Sequence, residues 1–169
     1  MKVTDLSQVT YRSKIESAKH YREIWEIVKD TVKNSIDEYR VSMLLFLDDL
    51  PLHLGAYYPI GTNNIVLNRA LIHVIETVTK DQSLVNAFVY NLLTHEYLHA
   101  LGHTSEDEVH SLVCKITRDC FGDNHAVTQL AKENPWSLLK GLPLDQIDVP
   151  NRGMEVVKDF EVSPQRYII

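Results

Sequence analysis

The chain has 169 residues, 44% of them hydrophobic and 24% charged, with 6 glycines and 6 prolines. This composition is typical of a folded protein that buries a core, and it excludes collagen-like and low-complexity chains. The formal net charge of -6, without any run of lysine or arginine, argues against a nucleic-acid or an anionic-membrane partner.

We expect a cytoplasmic protein that does not enter a membrane. Residues 1–14 are polar and mixed in charge, so they lack the apolar stretch of a secretory signal. The longest apolar runs are far shorter than the roughly 20 residues that span a bilayer. Cys114 and Cys120 are spaced so that a helix would turn them to opposite sides, which predicts two free thiols.

The first half of the chain predicts one long helix and then short strands. Apolar residues recur at three-and-four spacing over residues 13–39, the pattern of an amphipathic helix. Residues 41–47 are rich in valine, leucine, methionine and phenylalanine and predict a buried strand. Residues 55–59 and 64–67 predict two more extended segments, and Asn68 is placed to cap a helix that runs to about residue 79.

The second half predicts further helices. Ser83 is expected to cap a helix through residue 101 that is apolar on nearly every side, and such a helix should be central and buried. Gly102 stands where a helix stop is expected, and Ser105 with Glu108 predicts a capping box for the next helix. Short helices over residues 126–132 and 135–139 and a strand over residues 154–162 complete the prediction.

The apolar helix contains the sequence His95-Glu96-Tyr97-Leu98-His99, the H-E-x-x-H pattern. Residues four apart in a helix are neighbours, about 6 Å along the axis, so both imidazoles can bind one metal ion. Glu96 lies beside that face, where its carboxylate can take a proton from a water molecule. Two imidazoles suit Zn²⁺, although iron, cobalt, nickel and manganese accept the same ligands. We therefore predict one zinc ion per chain.

A catalytic zinc usually has three protein ligands and one open position. Glu106 is the preferred third ligand, because a tight turn would bring the first turn of the next helix beside His99. His103 is the alternative and requires the chain to turn at Gly102, since a straight helix would place it about 12 Å from His95. Glu108, His110 or a distant residue remain as further options.

These residues resemble the zincin superfamily of metallopeptidases, in which a helix, a small sheet with a substrate-binding edge strand and a buried active-site helix follow in this order. Residues 54–68 are similar to the edge-strand region, and residues 13–121 match the layout. His99-Ala-Leu-Gly102 is similar to the metzincin pattern, but Ser105 stands where metzincins have a third histidine. The run from Glu106 to His110 instead resembles the second helix of gluzincins, which supplies a glutamate.

The resemblance implies a single α+β, zincin-like domain over residues 1–169, with a small mixed sheet, a core at about residues 13–121 and a C-terminal extension over 122–169. It implies a zinc-dependent metallopeptidase that hydrolyses peptide or protein substrates with a zinc-activated water. Zinc would lie on His95, His99 and Glu106, with Glu96 as general base. Candidates to stabilise the oxyanion are Tyr57, Tyr58, His110 and His125.

Two other functions remain open at this point. A metal-binding regulator or adaptor would keep the zinc site without useful turnover, because a fold and a motif do not guarantee catalysis. A metal hydrolase that acts on a non-peptide bond is disfavoured for nucleic acids by the acidic charge.

Overall fold

A computed structural model describes residues 5–161 of the chain. These residues form six α-helices, four β-strands and two short 3-10 helices. The helices are α1 (Asp5–Ser17), α2 (Tyr21–Ile36), α3 (Arg69–Thr79), α4 (Gln82–Ala100), α5 (Glu106–Phe121) and α6 (Ala126–Lys132). The strands are β1 (Leu44–Asp48), β2 (Ala56–Tyr57), β3 (Asn64–Asn68) and β4 (Glu155–Val156), and the 3-10 helices are Pro135–Leu139 and Leu144–Gln146. None of the helices within residues 5–161 is long and apolar enough to cross a membrane.

The four strands form one mixed sheet in the order β2-β3-β1-β4. β1 and β3 run parallel, with Leu45 opposite Ile65 and Leu47 opposite Leu67. All four of these side chains are buried, which explains the apolar sequence of the two central strands. β4 pairs antiparallel with β1, and β2 pairs antiparallel with β3, so β2 is an edge of the sheet. The predicted α+β class and the small mixed sheet are confirmed.

Helix α4 is the centre of the molecule. It packs against α1, α2, α3, α5 and α6 and against β2 and β3. Because neighbours surround it, most of its side chains are buried, as the sequence predicts. The predicted cap was wrong by two positions. The carboxylate of Asp81, not the hydroxyl of Ser83, caps α4 by accepting the main-chain N–H groups of Ser83 and Leu84.

The long helix predicted over residues 13–39 is in fact two helices. α1 ends at Ser17 and α2 begins at Tyr21. The buried amide of Asn86 in α4 donates hydrogen bonds to the carbonyl oxygens of Ile15 and Ala18, which replace the helical hydrogen bonds lost at the break. The helical spacing of apolar residues continues across this break, so periodicity alone gave no sign of it.

The C-terminal part contributes to the same core. α6 buries Val127 and Leu130, and Phe160 is 2% exposed, so buried apolar side chains are not confined to residues 13–121. The strand predicted over residues 154–162 covers only two residues, and residue 162 lies outside the described part. After β4, Phe160 is buried in the core and the Glu161 carboxylate accepts the indole N–H of Trp25.

Candidate metal centre

The C-terminal end of α4 turns sharply at Gly102. This glycine has a φ of 107°. Glycine adopts this left-handed conformation with little conformational strain because it has no side chain. The main-chain N–H groups of Gly102 and His103 donate to the carbonyl oxygens of His99 and Leu98, which is the Schellman pattern of helix ends. The predicted helix stop is therefore confirmed.

Helix α5 begins directly after this turn. The hydroxyl of Ser105 accepts the main-chain N–H of Glu108 and caps the helix, as predicted. The second half of the predicted capping box is absent, because the carboxylate of Glu108 binds His103 instead. The short connection places Glu106, in the first turn of α5, next to the end of α4.

His95, His99 and Glu106 meet at this point. The Nε2 atoms of His95 and His99 are 3.3 Å apart. The Glu106 carboxylate reaches both rings, with Oε2 at 3.0 Å from Nε2 of His95 and Oε1 at 2.8 Å from Nε2 of His99. Within residues 5–161, these three form the one group of histidine, cysteine or acidic side chains arranged closely enough to hold a metal ion.

The three donors fit the chemistry of zinc. Ligand atoms at about 2.0 to 2.2 Å from a tetrahedral zinc ion are about 3.3 Å from one another. The distance between the two histidine nitrogens agrees with this value. The two distances to Glu106 are a few tenths of an ångström shorter and equal ordinary hydrogen bonds, so hydrogen bonding alone can also hold the group.

The surroundings of His95 favour a neutral ring, and those of His99 fix which of its nitrogens can bind a metal ion. Burial lowers the pKa of His95, although the nearby charge of Glu106 opposes this effect. Nδ1 of His99 lies 2.7 Å from the carbonyl oxygen of His103. Because a carbonyl oxygen can only accept, Nδ1 of His99 carries the proton and donates it, which directs the lone pair of a neutral ring to Nε2.

His103, the alternative third ligand, points elsewhere. Its Nε2 atom lies 2.9 and 3.0 Å from the two carboxylate oxygens of Glu38, and its Nδ1 atom lies 2.8 Å from Glu108. Both ring nitrogens are therefore engaged away from the group of three. Burial acts to lower the pKa of His103, but the hydrogen bonds to Glu108 and Glu38 outweigh it and raise the pKa.

Glu96 is buried beside the two histidines, as the motif predicts. Burial is the largest influence on its carboxyl group and raises its pKa to about 7, while the nearby His99 acts in the opposite direction. The main-chain N–H of Tyr58, directly after β2, donates a hydrogen bond to this carboxylate. Glu96 is thus a buried carboxyl group between helix α4 and the segment that follows β2.

A cleft of about 380 Å³ opens in front of these residues. The cleft is lined by Leu54 and Gly55, in the segment that leads into β2, and by Glu106 and His110 of α5. Leu92, Val113, Ala131 and Trp136 give the cleft an apolar lining. This combination of apolar walls and a few converging polar groups is typical of a small-molecule or peptide site.

The four candidates for the oxyanion have different surroundings. His110 lines the cleft one helical turn after Glu106. Tyr57 is half-buried in β2 and does not line the cleft. The hydroxyl of Tyr58 donates to the carbonyl oxygen of Thr62, and His125 is held by Glu16 at 2.9 Å. Among the four, His110 alone borders the cleft.

Sequence reasoning missed several residues of this site. Trp136 and His53 line the cleft, and no motif marked either residue. Glu38 and the main chain of Tyr58 had no motif that marked them, because each reaches the site only through the fold.

The site is thus built from α4, α5 and the edge strand, with Glu38 reaching His103 from the end of α2. The predicted ligands His95, His99 and Glu106 converge, and Glu96 lies beside them. Comparisons of the chain with protein-family models, with curated proteins and with solved structures find no match.

Proposed function

We propose that this protein is a zinc-dependent metallopeptidase with a zincin-like fold. The observation that carries the proposal is the convergence of His95, His99 and Glu106 within hydrogen-bond distances of one another, with Glu96 beside them in a cleft. Two imidazoles and one carboxylate, with space left on the cleft side, form a donor set that suits catalytic zinc.

The order of elements supports this proposal. A helix precedes a small sheet, the sheet has β2 at its edge, and the buried helix α4 follows with the paired histidines. α5 then supplies Glu106 from its first turn. The same order underlies the resemblance to gluzincins, in which a second helix provides a glutamate ligand.

Glu96 is suited to act as general base. Zinc at this site would polarise a substrate carbonyl and lower the pKa of a coordinated water. Burial raises the pKa of the Glu96 carboxyl group and so makes its carboxylate a better proton acceptor, which can take a proton from the attacking water and later release it to the leaving amine.

The edge strand β2 offers a way to align a peptide. The carbonyl oxygen of Gly55 accepts the main-chain N–H of Asn68, so Gly55 faces β3. Main-chain groups alternate in direction along a strand, so those of Ala56 and Tyr58 face away from β3. The bond from Tyr58 to Glu96 agrees with this alternation. An extended substrate can therefore pair with Ala56 in front of the helix.

His110 is placed to assist at the reacting carbonyl. It follows Glu106 by one turn of α5 and borders the same cleft. Its Nε2 atom has only a weak contact within the described residues, 3.8 Å from the sulfur of Cys114. The ring can thus turn its N–H toward an oxygen that gains negative charge.

The proposal is tested by metal content and cleavage together. Wild type, His99→Ala and Glu96→Gln are prepared with zinc, freed of excess metal and examined by elemental mass spectrometry. Each is then incubated with a mixture of peptides from a denatured proteome, and new peptide termini are identified by mass spectrometry. We expect one zinc per chain in wild type and in Glu96→Gln, little in His99→Ala, and new termini with wild type only.

Other outcomes separate the alternatives. Zinc in both wild type and Glu96→Gln, without cleavage by either, would identify a metal-binding regulator or adaptor. No zinc in the wild type would mean that hydrogen bonds hold the three side chains together, and the peptidase proposal would then fail.

A further inference from the structure

The orientation of His99 depends on one main-chain group. Its Nδ1 atom donates to the carbonyl oxygen of His103 at 2.7 Å. A ligand histidine commonly has its second nitrogen held in this way, which fixes both the tautomer and the direction of the ring. The position of the His103 carbonyl therefore decides whether Nε2 of His99 faces His95 and Glu106.

The ring of His103 is held on both sides. Nε2 of His103 is within hydrogen-bond distance of both carboxylate oxygens of Glu38, which lies just after α2. Nδ1 of His103 is within hydrogen-bond distance of the Glu108 carboxylate in α5. Both ring nitrogens of His103 therefore have a carboxylate partner within 3.0 Å. His103 thus links the carboxylate of Glu38, just after α2, to that of Glu108 in α5, while its own carbonyl contacts His99.

We propose that Glu38 is a positioning residue for the metal centre, acting through His103 to hold His99 in the orientation that binds metal. This inference rests on the proposed metal site, although it concerns a residue outside the ligand set. Glu38 touches none of the three donors, so its effect passes through the His103 ring and then through the His103 carbonyl.

The main chain around His103 offers a competing explanation. The Schellman hydrogen bonds at Gly102 and His103 also fix this turn. If they were sufficient, the Glu38 contact would be an ordinary surface ion pair with almost no effect on the site. The two explanations predict different behaviour when Glu38 is replaced.

Glu38 is a suitable residue to replace. Its side chain is 36% exposed, so a shorter side chain leaves no cavity in the core. Glu16 provides a matched control, because it binds His125 at 2.9 Å on a part of the surface that does not border the cleft. Glu38→Ala and Glu16→Ala each remove one glutamate–histidine pair, but only the first pair leads to His99.

The first measurement is zinc affinity, by competition with a chromophoric chelator, for wild type, Glu38→Ala, Glu38→Gln and Glu16→Ala. We expect Glu38→Ala to weaken zinc binding about tenfold or more, the usual effect of losing a group that orients a ligand. Glu38→Gln should lose less, because the amide oxygen still accepts from His103. Glu16→Ala should bind as wild type does, and the Co²⁺ spectrum should change for the Glu38 variants only.

The second measurement uses metal-free protein. Nitrogen NMR spectra of the imidazole rings report which nitrogen of His99 carries a proton. Wild type and Glu16→Ala should show a protonated Nδ1, and Glu38→Ala should show a loss of this preference. The thermal unfolding of the two alanine variants should be the same within error, which separates an orienting role from a general loss of stability.

Equal zinc affinity and equal His99 spectra in Glu38→Ala and Glu16→Ala would overturn the inference. A wild type that binds no zinc would instead contradict the proposed function. In that case the spectra of metal-free His99 still decide whether Glu38 orients the ring, so the two failures are distinguishable.

Discussion

The ring of Phe160 stacks on the indole of Trp25, with 4.7 Å between the ring centroids and 27° between the ring planes. Trp25 is fully buried in α2, and Phe160 lies near the end of the described chain. The contact therefore joins the C-terminal segment to helix α2. Glu161 adds to it by accepting the N–H of the same indole at 3.1 Å.

We predict that Phe160→Ala destabilises the protein by about 3 to 5 kcal/mol, because it removes a buried aromatic ring and leaves a cavity. Met154→Ala is the matched control, since Met154 belongs to the same segment but is 54% exposed. Urea unfolding followed by far-ultraviolet circular dichroism measures both. Similar midpoints for the two variants would mean that the segment is not part of the cooperative unit.

We predict that Glu106→Gln weakens zinc binding by about a hundredfold or more, because a charged ligand is replaced by a poor one. Asp107→Asn is the control, as it removes one negative charge from the same first turn of α5 and so has the same effect on the helix dipole. Chelator competition measures both. If the two variants bind zinc equally, Glu106 contributes only its charge.

His103→Ala tests the alternative ligand. We expect this variant to retain one zinc per chain at saturating metal, with weaker affinity, because the His103 ring faces Glu38 and Glu108. Elemental mass spectrometry at saturation measures the stoichiometry. Complete loss of zinc from His103→Ala together with full retention in Glu106→Gln would reverse the assignment of the third ligand.

Asp49 is predicted to make the free energy of unfolding depend on pH in the acidic range. Its buried carboxylate accepts hydrogen bonds from Arg152 and Arg69, which hold its pKa well below its usual range. In the unfolded chain this carboxyl takes up a proton at about pH 3.9, whereas in the folded protein it stays ionised at that pH. The contribution of Asp49 is thus complete above about pH 4 and is lost as the pH falls toward its folded pKa.

We therefore expect Asp49→Asn to lower the unfolding free energy by about 2 kcal/mol at neutral pH, and by less in acid, where the wild type has lost part of this contribution. Asp48→Asn is the control, because its amide oxygen can still accept the main-chain N–H of Asp49. Urea unfolding at several pH values measures the difference. A constant difference between wild type and Asp49→Asn across this range would contradict the prediction.

Gly55 is predicted to be required for the shape of the cleft. A Cβ atom at this position would lie 2.6 Å from Cδ2 of Leu92 and 2.9 Å from the Trp136 ring, closer than real atoms approach. Gly55→Ala should therefore cost about 1 to 3 kcal/mol of stability and displace both side chains. Leu92→Ala should make room, so we expect the double variant to be more stable than the sum of the single effects. Strict additivity would mean that the clash is relieved elsewhere.

Much of the fold was predictable because its signals are local. The apolar residues around His95 and His99 identify a central helix, since only a helix with neighbours on all sides can be apolar on every face. Asn68 and Ser105 cap their helices, and Gly102 ends one, because each residue acts on main-chain groups only a few positions away. Such short-range chemistry can be seen directly in the sequence.

Other features of the fold were not predictable because they depend on distant groups. The break between α1 and α2 is stabilised by Asn86 from another helix, and no pattern in residues 13–39 predicts the break. Asp81 and Ser83 are both suitable N-cap residues by type, and the geometry of the turn before α4 makes Asp81 the cap. A short strand such as β4 forms because the edge of a neighbouring strand is available for pairing, and its own residues do not predict it.

The sequence by itself determined the helix with His95, Glu96 and His99, the stop at Gly102 and the acidic start of the next helix. These follow from helical periodicity and from caps that reach only a few residues. The tertiary structure alone decided that Glu106, not His103, faces the two histidines, and that Glu38 and the main chain of Tyr58 complete the surroundings. The physical reason is that a side chain binds whatever the packing of distant segments brings within about 3 Å, and no local pattern records that distance.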